Sequence, residues 1–119
     1  MKSNNDIKYD LEERTFIFTK NVIEYVRTLP KGIVYSEIGK QLVRSAGSVG
    51  ANYIEANESL SKKDFVMRVK RSKKEAKESL YWFKLTLRNK FQKQPKTELM
   101  CKCEEVMKIF GAIIRNTSI

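Results

Sequence analysis

The chain has 119 residues, 41% hydrophobic and 32% charged, and a formal net charge of +10. This length suits a single domain, residues 1–119, built around one core, and the composition excludes a disordered tail. Five Gly and two Pro are too few for a turn-rich all-β chain, no apolar run approaches the ~20 residues of a membrane span, and the opening residues lack the apolar stretch of a signal peptide. A cytoplasmic location without membrane contact is therefore expected.

Four amphipathic helices are expected, at about 10–29, 36–57, 62–89 and 96–116. Asp10 followed by Glu13 resembles a capping box, and Leu11, Phe18, Val22, Tyr25, Val26 and Leu29 then recur at helical spacing. Pro30 and Gly32 end the first helix. Ser36 is a plausible cap for the second, and Ser61 with Asp64 for the third. Pro95 or Thr97 opens the fourth, whose stripe is Leu99, Cys103, Val106, Phe110 and Ile113. No segment alternates with period two. Short connections between four such helices predict an all-α, antiparallel up-down-up-down four-helix bundle, with another helical topology as the competing arrangement.

The second helix is unusual. On a wheel of ~100° per residue, Ile38, Leu42, Ala46, Val49, Tyr53 and Ala56 form a core stripe. Gly39, Val43, Gly47, Gly50 and Ile54 form a second stripe of small or apolar residues. Each helix-interior glycine costs ~1 kcal/mol against alanine, which close approach of another helix would offset. A surface this wide predicts a further contact, between subunits. Arg44, Ser48, Asn52 and Glu55 line the remaining flank as a structural polar network. Glu75, Glu78 and Trp82 share a flank of the third helix, and Glu75 or Glu78 is expected to pair with Arg44.

Residues 62–96 hold 13 Lys/Arg against 3 Asp/Glu, which is the entire charge excess. Lys63, Lys70, Lys73, Lys74, Lys77, Lys84 and Arg88 fall on one flank of the third helix, with Tyr81 among them. From 63 to 88 that flank extends about 38 Å. Lysines are flexible point charges, suited to phosphate contact rather than base reading. They predict salt-sensitive, sequence-tolerant binding of nucleic acid, with Tyr81 available to stack on an unpaired base. A solvated lysine face and a tyrosine packed at the bundle edge are the plainer readings.

Enzymatic chemistry is not expected. The chain has no histidine, which removes the commonest general base and most zinc sites. Cys101 and Cys103 point apart on a helix and make neither a disulfide with each other nor a metal site. Glu55, Glu58, Glu75 and Glu78 are the only candidates for Mg²⁺, and salt bridges such as Arg71 with Glu75 are the commoner use of helical carboxylates. No cofactor and no metal are expected.

The stretch QLVRSAGSVGANYIEA followed by KKEAKESLYWFKL resembles the 23S rRNA intervening-sequence protein family, also called four helix bundle proteins. The matching positions are Arg44, Ser48, Val49, Ala51, Asn52, Glu55 and Ala56, then Lys74, Glu75, Ala76, Glu78, Ser79, Tyr81 and Trp82. The resemblance implies a bundle that closes into a ring, typically a homopentamer, with no established catalytic residues. Some members are encoded within insertions in bacterial 23S rRNA genes. Related proteins are accessory subunits of diversity-generating retroelements and bind nucleic acid and a reverse transcriptase. The expected function is thus a non-enzymatic, ring-forming nucleic-acid binder. The alternative is a scaffold that docks an acidic partner such as a reverse transcriptase.

Overall fold

The structure, a computed structural model, describes residues 4–86 and 93–117, with side chains described for 10–86 and 95–117. It contains four helices: α1 (Asn4–Arg27), α2 (Ile33–Asn57), α3 (Lys62–Leu85) and α4 (Lys93–Asn116). No strand occurs among the described residues.

The helix ends correct several expectations. Asp10 lies inside α1 and is not its cap, because no Gly or Pro interrupts residues 4–10 and helical bonding continues back to Asn4. Ser36 does not cap α2. Gly32 does, at φ 136°, a region that favours glycine, and the Ser36 amide already donates to the Gly32 carbonyl at 2.9 Å. Ser61 does cap α3: its Oγ accepts from the Asp64 amide at 3.1 Å. The Asp64 carboxylate accepts from Arg68.

α3 stops at Leu85, short of the expected Asn89. Thr86 turns extended and its hydroxyl donates to the Phe83 carbonyl at 2.6 Å. Tyr25 Oη lies 2.8 Å from the Thr86 hydroxyl, and Lys96 Nζ donates to the Thr86 carbonyl at 2.6 Å. Lys96 is buried, and its ammonium meets the electronegative end of α3. Lys96 is therefore used internally, although its sequence position counted toward the basic segment. α4 begins at Lys93, so Pro95 falls in its first turn, where backbone N–H groups have no helical partner to lose.

Neighbouring helices run in opposite senses, as their contact pairs show. Between α1 and α2, Asn57 donates to Glu12, Thr19 donates to the Ala46 carbonyl, and Gly39 lies against Val26. Between α2 and α3, Glu55 pairs with Arg68 and Ser45 meets Ser79. Between α3 and α4, Cys103 Sγ contacts the Ala76 carbonyl, and Lys96 reaches Thr86. α1 and α4 close the ring through Arg14 and Glu105 at 2.6 Å. Each helix touches its two sequence or ring neighbours, which makes an antiparallel four-helix bundle.

The core comprises Leu11, Phe18, Val22 and Tyr25 from α1, and Leu42, Ala46, Val49, Tyr53 and Ala56 from α2. Val69, Ala76 and Phe83 join from α3, and Leu99, Cys103, Val106 and Phe110 from α4. Tilted ring pairs Tyr25–Phe83 and Tyr53–Phe110 bridge across it at 5.7 and 5.6 Å. Burial pushes the Cys103 thiol up to about 12, so it behaves as core filling, while Cys101 is exposed.

Between α2 and α3 the contact is a seam of short side chains. Ser45, Ser72 and Ser79 are fully buried. Ser45 and Ser79 share a hydrogen bond at 2.8 Å, and Ser72 donates to the Val49 carbonyl at 2.9 Å. All three seam hydroxyls are thereby satisfied, and among the described residues no buried side-chain nitrogen or oxygen lacks a partner. On the other side of α2, Gly39 and Gly50 admit α1. A Cβ on Gly39 would lie 2.8 Å from Val26 Cγ1, and one on Gly50 would lie 3.0 Å from Thr15 Oγ1. Two of the three glycines thus meet the close approach of another helix that their cost implies, and that helix is the chain's own α1. At Gly47 a Cβ would meet nothing within 4 Å.

Gly50→Val tests this close approach. Thr15 is held by bonds to the Leu11 and Glu12 carbonyls and cannot yield without losing them. The variant should lose about 1–3 kcal/mol in urea unfolding. Unchanged stability would show that α1 does not need the glycine.

Candidate nucleic-acid interface

α3 presents three faces. Its core face carries Val69, Ala76 and Phe83. Its α2-facing edge carries Arg68, Glu75, Glu78 and Trp82, and the arc left over carries the lysines. Arg44 of α2 reaches across to both expected partners. Its Nη1 lies 3.0 Å from Glu75, and its Nη2 is in short contact with Glu78. Gln41 accepts from Arg44 Nε at 3.2 Å. Glu78 also accepts from the Trp82 indole at 3.0 Å.

These bonds hold the Glu78 carboxyl below its usual range, chiefly through the Trp82 N–H and then through Arg44 and Lys74. Arg44 is correspondingly held above its usual value, first by its bond to Glu78. At the other end of the edge, Arg68 pairs with Glu55 and with Asp64. Asn52 donates to the Ser48 carbonyl at 2.9 Å, so Ser48 contributes backbone rather than side chain. The six network residues therefore form separate groups, not one continuous ladder. The expected Arg71–Glu75 pair does not form, because Glu75 faces Arg44 and Arg71 lies against Met67.

The lysine arc is open. Lys63, Lys70, Lys73, Lys74, Lys77 and Lys84 are all exposed, and none has an ion-pair partner among the described residues. Lys63, Lys70, Lys77 and Lys84 recur every seventh residue, a spacing of about 10 Å along the helix. Tyr81 stands among them at 58% exposure, its ring edge-on to Trp82 with centroids 5.1 Å apart. Arg88 lies outside the described residues. The acids of α3 are turned toward α2, and only Lys74 is close enough to Glu78 to influence it.

Two cations escaped sequence reasoning. Lys108 and Arg115 of α4 line the groove between α3 and α4 together with Lys73. Their helical positions mark them as solvent-facing, but only the packing of α4 on α3 sets them beside the lysine arc. Among the described residues no group of three His, Cys, Asp or Glu side chains is placed to hold a metal ion. No described helix is long and apolar enough to cross a membrane.

The single tryptophan makes the Arg44–Glu78–Trp82 contact measurable. The contribution of a carboxyl with a lowered folded pKa is complete above its unfolded value and is lost as pH falls through the folded one. Trp82 emission should therefore change with a midpoint below the ordinary glutamate value of 4.5. Glu78→Gln should abolish that step. A midpoint at or above 4.5, or a step that survives the substitution, would contradict the geometry.

Comparison with known proteins agrees with this architecture. Residues 8–112 match the family described as 23S rRNA-intervening sequence protein. A crystal structure of a protein with unknown function from the S23 ribosomal protein family of Bacteroides thetaiotaomicron superposes with a TM-score of 0.78. The two share 24% identity over 92% of this chain and 98% of that one, a likeness of fold. None of the curated proteins compared with the chain matches it. With nearly its whole length matched, the chain belongs to the 23S rRNA-intervening sequence protein family.

Proposed function

We propose that this protein is a non-enzymatic, ring-forming helical bundle that binds RNA or DNA through phosphate contacts along α3. The observation that carries the reading is the set of six exposed α3 lysines without ion-pair partners among the described residues. The lysines' charge is not internally neutralised, because Glu75 and Glu78 are engaged by Arg44 of α2 and Asp64 by Arg68 of α3. An array of this kind favours polyanions by counterion release rather than by base readout. The family's association with 23S rRNA favours RNA as the first ligand to test. A cytoplasmic setting, where RNA is abundant, accords with that ligand.

A second copy of the chain is the proposed occupant of the outer α1–α2 face. Phe16 is 63% exposed and Ile54 47% exposed, with Ile23, Val43 and Gly47 half-buried between them. These apolar groups flank the α1–α2 seam, and the open space at Gly47 leaves room for a side chain from outside. The homopentamer implied by family resemblance would cover this face and leave the α3 lysines outward. An acidic protein such as a reverse transcriptase is the alternative ligand for the same cations.

Labelled RNA and DNA titrated at several salt concentrations test the first reading. Affinity should fall linearly on log axes with salt, and Lys70→Glu, Lys74→Glu and Lys77→Glu combined should abolish binding. Binding indifferent to these changes would overturn it; binding of acidic protein but not nucleic acid would favour the alternative.

Light scattering after size exclusion tests the assembly. The native chain should elute as a closed oligomer. Phe16→Glu with Ile54→Lys should yield a helical monomer by circular dichroism. A monomeric native chain would remove the proposed interface.

A further inference from the structure

The groove between α3 and α4 holds a feature that the lysine arc alone does not explain. Gly111 lies within α4, where glycine costs helix stability relative to alanine. No helix backbone or core side chain requires it. The atoms nearest to a Cβ built there are Arg115 Nη1 at 3.3 Å, Lys73 Nζ at 3.5 Å and Lys73 Cε at 4.0 Å. Contrast Gly39 and Gly50, whose Cβ positions run into the packed side chains of α1. At Gly111 the missing side chain makes room for two cationic tips.

Those tips converge. Both lie within 3.5 Å of one point, so they stand no more than about 7 Å apart. Like charges at that separation repel, and an anion seated between them relieves the repulsion. Lys108 adds a third cation to the same groove, and Glu104 is the one carboxylate lining it. Neither Lys73 nor Arg115 is ion-paired with Glu104 within 4 Å. Leu80 and Met107 supply an apolar lining beside the charges. Arg115 brings a planar fork suited to phosphate oxygens, which the lysines of the α3 arc lack. Lys70 and Lys77 lie one turn to either side of Lys73, so a strand following the arc passes this point.

We propose that Lys73 and Arg115, drawn together over Gly111 between α3 and α4, form a seat for one phosphodiester group of a bound nucleic-acid strand. The seat rests on the nucleic-acid reading above and gives that reading a fixed point of register. It extends the interface from one helix to two and assigns a binding role to α4.

The test uses the full chain and a short labelled single-stranded RNA. Lys73→Gln with Arg115→Gln should weaken binding about five- to tenfold near 0.1 M salt and reduce the salt slope by about 0.7, the signature of one lost phosphate contact. Gly111→Glu places a carboxylate between the two cations. It should reproduce that loss while leaving the melting temperature unchanged or raised, which separates binding from folding. Lys40→Gln, on the exposed side of α2, should change neither affinity nor slope beyond its small effect on net charge.

In ¹⁵N spectra the Gly111 amide should shift on adding the RNA, and inorganic phosphate should move it only weakly. Wild-type affinity and slope in both groove variants, beside loss in the α3 triple variant, would overturn the seat and leave the α3 reading intact. Absence of any RNA or DNA binding by the native chain would overturn both. Tight saturation of the Gly111 amide by inorganic phosphate would overturn the strand assignment in favour of a free anion.

Discussion

The buried hydroxyl seam between α2 and α3 is the contact on which the rest of the molecule turns. Ser45, Ser72 and Ser79 are short enough to let the two helices approach closely, and each must find a hydrogen bond once water is excluded. The Ser45–Ser79 bond and the Ser72 bond to the Val49 carbonyl form only at one rotation of α3 about its axis, while Ser45 and Ser79 also donate within their own helices, to the Leu42 and Glu75 carbonyls. A turn of a few tens of degrees would break the Ser45–Ser79 bond and leave the buried Ser72 hydroxyl unpaired, at a cost of about 1–3 kcal/mol for that group. That rotation is what aims the lysines outward.

Arg44 and Trp82 reinforce the same rotation at the solvent edge of the seam. Exposed ion pairs add little to stability, and Arg44 with its two carboxylates is half in water. Its larger effect is on charge placement. Glu75, Glu78 and Asp64 are α3's acids, and all three are occupied by arginines on the α2 side. The lysines opposite them keep their charge. A helix with its acids on one edge and its cations on another has a strong transverse field, which favours a polyanion along the cationic edge.

α4 contributes from two directions. At its start, buried Lys96 closes the end of α3 through the Thr86 carbonyl, with Tyr25 completing the junction. At its far end, Arg115 and Lys108 border the lysine arc. The helix thus both terminates α3 and widens its charged face. Placing an ammonium at the carboxyl end of a neighbouring helix satisfies carbonyls that α3 cannot satisfy itself.

Much of this was legible in the residues, because helical periodicity is local. The count of four helices, the Ser61 cap, the lysine arc and the pairing of Arg44 with Glu75 or Glu78 all follow from spacing within one or two segments, whereas that Arg44 takes both carboxylates at once does not. Asp10 and Ser36 misled because a capping residue type inside a helix looks the same in sequence as one at its start. The destinations of Gly39 and Gly50, the internal use of Lys96 and the convergence of Lys73 with Arg115 were decided by tertiary structure alone. Each joins helices far apart in the chain, and such a meeting depends on interhelical rotation and offset, which are set by how side chains of both helices interlock.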